Sequence, residues 1–364
     1  MEFALTSDQK MMQESIGRTL ERVSPLERVR KSADAKEAYA VDVFKALIEL
    51  GVPGILVPEE FGGLGLTMLD AALAAEMLGR HVAPAPFIGA SVMAPLAVLG
   101  AGSNAQKNAW LPKIAAGEAL FGVAVSEQAA GARERAEVIA KGGKLSGRAL
   151  FVVDFAGADH FLVADKFAGL HIVDAKAKGL DKKLLTTIDA TRTVGELVFD
   201  NADAETLTAG NSAATLERVI DAGRIALAAD TLGTAERMIE KAVAYSKERK
   251  QFGRVIGSFQ AVKHMCAEMA AELEPARSLV WYAAYAYDEF PEQSRRMAAH
   301  AKAHLSEIGQ QIARTATEVH GGMGFTDLLG LHYWFKRVGF NRQVLGSPER
   351  ARHDAAVAQG WIGN

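Results

Sequence analysis

Apolar positions in this chain recur first at helical spacing, then at strand spacing, then at helical spacing again. Near the start, Met12, Ile16, Leu20 and Val23 form one stripe, and Thr6 with Gln9 makes a capping box just ahead of it. A second helix is expected to end near Gly51, after Leu47 and Leu50. Thr67, with Asp70 three positions on, opens a third that carries Leu69, Leu73 and Met77, and Gly79 is expected to stop it. From Glu118 to about Glu205 the pattern shortens. Phe121 to Val125, Ala149 to Val153, Phe161 to Val163 and Glu196 to Phe199 are β-rich runs punctuated by Gly and Asp. Such spacing predicts a small antiparallel sheet or barrel. Beyond it, Leu216, Ile220, Leu227, Thr231, Ala235, Met238, Ala242 and Tyr245 return to a helical period. Ser258 is expected to cap the next helix, with Val262, Met265, Met269 and Leu273 on it, and Pro275 should kink or divide it. A long helix then runs from about Glu292 to Val319 and stops at Gly321, and another holds Leu331, Trp334, Phe335 and Val338. The chain is therefore mainly α with a central β domain. The expected domains are a helical one over residues 1–118, a β domain over 119–208 and a helical bundle over 209–364.

Composition narrows the function. At 364 residues the chain has room for two or three domains, and a net charge of -3 gives no basic footprint for nucleic acid. Cys266 is the only cysteine. That excludes an internal disulfide framework and a cysteine-rich metal site, and it fits a reducing cytoplasm. Met1 to Thr6 lacks a basic region followed by an apolar run, so no signal peptide is expected. The uncharged stretch from His81 to Gln106 is broken by Pro84, Pro86 and Pro95 and by Gly89, Gly100 and Gly102. It predicts a buried helix pair rather than a membrane span. His300 and His304 share a helix face with Glu307 a turn further on. One face supplies only two ligands at good geometry, so the pair reads as a hydrated surface and no metal is expected.

The familiar hydrolase, metalloprotease, P-loop and dinucleotide motifs are absent. Val57 to Gly65 is rich in glycine but lacks the Gly-Lys-Ser/Thr ending of a phosphate loop. Two segments carry candidate chemistry. Tyr245-Ser-Lys-Glu-Arg-Lys-Gln-Phe-Gly-Arg-Val-Ile-Gly-Ser-Phe-Gln260 joins two amphipathic stretches. It offers a flat, permanently charged fork in Arg249, a ring in Phe252, a flexible turn at Gly253 and a carboxamide in Gln260. His320-Gly-Gly-Met-Gly-Phe325 lets backbone N–H groups approach an anion closely. Either segment alone also reads as an ordinary helix terminus.

Together, in this order, in the last third of a chain that runs helical, β, helical, they resemble the acyl-CoA dehydrogenases. The similarity extends over nearly the whole chain. It includes Phe3-Ala4-Leu5-Thr6, Leu50-Gly51-Val52 with Glu59 to Gly65, Gln106-Lys107 to Trp110-Leu111-Pro112, and Ala116-Gly117-Glu118. The resemblance implies the acyl-CoA dehydrogenase fold, an FAD cofactor, an acyl-CoA substrate oxidised to the 2,3-enoyl-CoA, and an electron-transfer flavoprotein as acceptor. It assigns Arg249, Gln251, Phe252 and Gln260 to FAD contacts across a subunit interface, hence a homo- or hetero-oligomer. Gly321 and Gly322 would approach the same neighbouring FAD, with Glu318 where the family often has glutamine. A carboxylate there opposes a pyrophosphate unless it turns away. Val123 to Ser126 would contact the flavin ring. Ser126 keeps a hydroxyl where threonine is common, Phe151 keeps an aromatic face where tryptophan is usual, and Val153 loses a hydrogen bond. Asp221 and Arg224 match positions near bound substrate.

The family's base is a glutamate at one of two places. Those places hold Leu345 and Gly223 here, and neither accepts a proton. Asp221, Glu217, Asp327 and Glu349 are the remaining carboxylates weighed, each read as surface or structural. The pattern looks like the base-less kind of subunit in bacterial acyl-CoA dehydrogenases of steroid side-chain breakdown, which pair two related chains.

Overall fold

A reciprocal cap sets where the first helix begins. Thr6 Oγ1 accepts from the Gln9 N–H at 3.2 Å and Gln9 Oε1 from the Thr6 N–H at 3.1 Å, opening α1 (Ser7–Val23). The computed structural model describes residues 4–363, so Phe3 of the opening match lies outside the described residues. α2 (Leu26–Asp34) and α3 (Val41–Glu49) follow, and the chain leaves α3 through Gly51 at φ 73°. Thr67 and Asp70 form the expected box at α4 (Met68–Arg80). The uncharged stretch becomes a π-helical turn, Ile88–Met93, running into α5 (Ala94–Ala101), both largely buried. The Phe87, Gly89 and Ala90 N–H groups at its start donate to Asp154 Oδ2 at 3.1, 2.7 and 3.2 Å. A carboxylate from the β region thus caps this helix pair. No described helix is long and apolar enough to cross a membrane. α6 (Asn104–Ala115) leads into the sheet.

The strands are β1 (Phe121–Ala124), β2 (Val138–Lys141), β3 (Lys144–Val153), β4 (His160–Ala164), β5 (Leu170–Asp174), β6 (Leu180–Leu185), β7 (Val194–Asp203) and β8 (Glu205–Thr206). Their order is β6-β7-β3-β1-β4-β5-β8, with β2 on β3, and a short α7 (Ser126–Ala130) follows β1. The sheet is mixed, not antiparallel throughout. β3 returns beside β1, Val123 opposite Val153, and the chain then crosses to β1's other side. There β4 runs parallel, Phe121 opposite His160.

The bundle consists of α8 (Ser212–Glu248), α9 (Gln260–Glu289), α10 (Pro291–His320), α11 (Leu331–Gln343) and α12 (Pro348–Ala358). A small hairpin, β9 (Lys250–Gln251) and β10 (Arg254–Val255), sits at the α8–α9 corner. α8 is buried on every side from Val219 to Ala235, which makes it the central rod of the molecule.

Three local expectations fail. Gly79 does not stop α4, which continues to Arg80; a Cβ there would stand 1.9 Å from the Asp230 carbonyl oxygen. Gly233 meets the Glu76 carbonyl oxygen at the same distance, so the pair lets the backbones of α4 and α8 touch. Pro275 neither divides nor ends α9. It lies on the exposed face, where the carbonyl a proline leaves without its helical N–H is not shut away from solvent. Ser258 does not cap α9; its hydroxyl donates to the Val255 carbonyl and Phe259 takes the cap position.

One buried ionic node ties the domains together. Asp230 on α8 accepts from Arg192 at 2.8 Å, Arg337 at 2.9 and 2.7 Å and Asn341 at 2.6 Å. Arg192 also donates to the Ala85 carbonyl, and Arg337 to Thr191 Oγ1. Burial pushes the Asp230 carboxyl up, but Arg337 and Arg192 outweigh it and hold the group down at about 2.

Candidate functional site

Between the sheet and the end of α11 lies a largely apolar cleft of about 220 Å³. Ser126, Phe151, Ile188, Phe340, Val344 and Leu345 are among its walls. Phe151 sits at φ 54° with 39% of its surface exposed, so part of its ring lies open to solvent. Ser126 is buried, and its hydroxyl donates to the Phe151 carbonyl at 2.9 Å, pinning the turn that presents the ring. Val153 points into the core.

Of the two positions assigned to a base, Leu345 lines this cleft and Gly223 packs behind it. Leu345, 1% exposed and at φ 58°, closes its floor. The two positions that the resemblance assigned to a base therefore lie side by side, Leu345 against Gly223, and both are apolar. Of the other carboxylates weighed from the sequence, none lines the cleft. Asp221 is buried and turns to Arg295 at 3.5 Å; burial pushes its carboxyl up to about 6, with Arg295 and Arg224 pulling back only in part. Glu217 faces a separate polar cavity with Arg295 and Arg350. Asp327 is exposed and pairs with Arg30 and His332, and Glu349 is exposed beside Arg342.

Arg224 has a different occupation from the one the resemblance gave it. Its side chain is wholly buried and donates to the Leu345 carbonyl at 3.0 Å, the Ala129 carbonyl at 3.1 Å and Asp354 at 2.7 Å. It braces the cleft floor from behind and offers no exposed surface to a substrate. Asp221 likewise faces the interior.

Glu127 is a cleft carboxylate that the sequence reading passed over. It follows Ser126, lines the cleft, and accepts from the Leu150 N–H at 2.7 Å. Burial pushes its carboxyl up. Its only signal in the sequence was adjacency to Ser126, which the resemblance places at the flavin.

The predicted nucleotide residues gather elsewhere, at the far end of the bundle. Arg249, Gln251, Phe252 and Gln260 are all exposed, Phe252 by 92% and at φ 51°. The Gln260 amide donates to His264 at 3.1 Å. Arg249 forms no ion pair with any described carboxylate. Tyr245 stacks on His320 with ring centroids 4.7 Å apart, which brings the α8 and α10 ends together. Glu318, Gly321 and Gly322 are therefore at this same end, all exposed. A Cβ on Gly253, Gly321 or Gly322 would meet nothing within 4 Å. An unpaired guanidinium beside open backbone N–H groups fits a diphosphate. Exposed Glu318 pairs with no described cation and is free to turn outward.

α8 measures the separation of the two regions. From Gly223, which packs against the cleft-floor residue Leu345, to Glu248 at the corner the rod spans about 37 Å at about 1.5 Å per residue. The cleft alone is also smaller than the roughly 300–1,000 Å³ of ordinary ligand pockets.

Comparisons with known proteins agree with this architecture. The model of the acyl-CoA dehydrogenase N-terminal domain matches residues 6–118, and that of the C-terminal domain matches residues 212–359. The chain is 28% identical over 345 residues to acyl-CoA dehydrogenase IpdE2 of Mycolicibacterium smegmatis, covering 94% of this chain and 96% of that one. It is 29% identical over 350 residues to the short-chain specific acyl-CoA dehydrogenase of Clostridium acetobutylicum, covering 90% and 91%. Among solved structures, a steroid ACAD, Tcur3481-Tcur3483, matches with a TM-score of 0.88 at 28% identity over 97% of this chain and 98% of that one. The chain belongs to the acyl-CoA dehydrogenase family. It is an acyl-CoA dehydrogenase-type flavoprotein, an oxidoreductase acting on the CH–CH bond of acyl-CoA with FAD.

Proposed function

We propose that this chain works as the base-less member of a hetero-oligomeric acyl-CoA dehydrogenase. Its Arg249 corner grips the FAD seated in a related partner's cleft, and the partner supplies the carboxylate that removes the α-proton. The observation that carries this reading is the contact of Leu345 with Gly223, which leaves an apolar floor where a base is needed within about 3–3.5 Å of the α-carbon. The corner's distance from its own cleft supports service to a second chain. Bound FAD supplies the hydride acceptor. This chain's residues hold and orient: Arg249 and the Gly321-Gly322 backbone take the diphosphate, and Phe151 covers one edge of the cleft. The match to a steroid ACAD complex and to IpdE2 favours a steroid-derived or similarly bulky acyl-CoA, with an electron-transfer flavoprotein as acceptor. The lone, half-buried Cys266 and the lack of a membrane-length helix among the described residues support a cytoplasmic setting.

Co-expression with a base-bearing homologue tests it. The expected result is an inactive isolated chain, and activity with an artificial electron acceptor only in the mixed assembly. Turnover of any acyl-CoA by the isolated chain would sink this reading.

A second reading rests on Glu127, the half-buried carboxylate on the cleft wall, whose carboxyl is pushed up by burial. If it is the base, the isolated chain dehydrogenates acyl-CoA and Glu127→Gln abolishes that activity while flavin stays bound.

A further inference from the structure

A second cavity, about 350 Å³, lies away from the flavin cleft, where the α1–α2 turn meets the end of α4, α8 and α11. Arg80, His81, Arg237 and Lys241 stand on its walls, with Trp334 behind and Ser24 on the turn. Arg80 is matched by Glu236 at 2.8 Å and Glu240 at 2.7 Å, and Arg237 by Glu240 at 2.9 Å. Lys241 is the charge left over. Its ammonium lies 4.6 Å from the centre of the Trp334 ring and pairs with no described carboxylate. Ser24 is 3% exposed, and its hydroxyl is buried without a hydrogen-bond partner. The one acidic lining residue, Glu21, is exposed.

Burial, with the neighbouring cations, lowers two titrating groups on this wall. Burial, then Arg80 and Arg237, push His81 down to about 4. Burial, with Arg237 and Arg30, also lowers Lys241. A concave wall with one unpaired ammonium and an unused hydroxyl is poorly matched by water alone. A cation is repelled there. A cation over an indole face is held in place before any ligand arrives, so little side-chain freedom is lost on binding.

We infer that this cavity is a binding site for a small oxyanion, a phosphate or carboxylate group, held by Lys241 and the Ser24 hydroxyl with Arg80 and Arg237 behind. The site shares no lining residue with the flavin cleft and is independent of which chain supplies the base.

Calorimetric titration of inorganic phosphate into the flavin-loaded, assembled protein at low ionic strength tests it. The expected result is saturable binding. Lys241→Met weakens it about tenfold, the loss of one charge-assisted contact. Lys241→Arg retains most of it, and Ser24→Ala weakens it less than Lys241→Met. Acetate in place of phosphate distinguishes a carboxylate site from a phosphate site by which binds more tightly. The absence of saturable heat with both anions overturns the inference. So does equal phosphate affinity in Lys241→Met and the parent; if that variant does not fold, unchanged affinity in Ser24→Ala does the same.

Discussion

Leu345 Cδ1 lies 2.5 Å from where a Cβ on Gly223 would stand. The two residues come from opposite ends of the C-terminal domain, yet each is the reason the other is as it is. The leucine fills the space that a side chain at 223 would take, with Met93 Sδ closing the same gap at 2.8 Å.

The first prediction follows from that crowding. Gly223→Ala should destabilise the fold by about 1–3 kcal/mol through overpacking, partly offset by alanine's better helix propensity. Leu345→Ala alone should cost about 2–5 kcal/mol as a cavity. The double variant should cost less than the two together, because each relieves the other. Chemical denaturation of all four proteins gives the coupling, and strict additivity would show that the contact does not matter.

Leu345→Glu places a carboxylate at the cleft floor, where burial raises its pKa toward the range useful for a base. The expected outcome is slow acyl-CoA-dependent bleaching of flavin in the assembled protein, at some expense of stability. No bleaching, in a variant that still holds flavin, counts against the assignment of this floor to the α-carbon.

Arg249→Ala should leave thermal stability nearly unchanged, since the side chain is exposed and unpaired. It should sharply reduce flavin retained per assembled chain, read from visible absorbance against protein. Undiminished flavin removes the corner from the cofactor's grip.

Asp230 gives the clearest pH prediction. Its carboxyl falls from 3.8 to about 2 on folding, so its stabilisation is fully present above 3.8 and disappears as pH falls through about 2. Asp230→Asn strands Arg192 and Arg337 and should cost about 3–5 kcal/mol at neutral pH. The gap between parent and variant should narrow in acid. A gap that stays constant down to that range means the node is held by shape and not by charge.

Much of this was legible in the sequence. Thr6 with Gln9 and Thr67 with Asp70 announced their helices because capping is chemistry between near neighbours. The α–β–α succession was readable from period alone. What failed depends on the third dimension. Gly79 reads as a stop, but it is a place where two backbones meet. Pro275 reads as a break, but its exposed face tolerates it. Asp221 and Arg224 are charged, and charge suggests a surface; only the all-round burial of α8 shows that both look inward. Glu127 was overlooked because nothing in a linear pattern says which carboxylate borders a cleft. The apolar residues at the two positions the resemblance assigned to a base were visible in the sequence; that Leu345 and Gly223 touch was not.

The length of α8 has a numerical consequence for any assembly. Under the proposed function, a rod with a grip at one tip and a floor near the other has neighbouring chains trade cofactors. When only one of two trading partners carries a working acid, half of the seats are idle. Substrate added in excess should then reduce only one flavin in two, a ratio set by the architecture and untouched by the choice of acyl group.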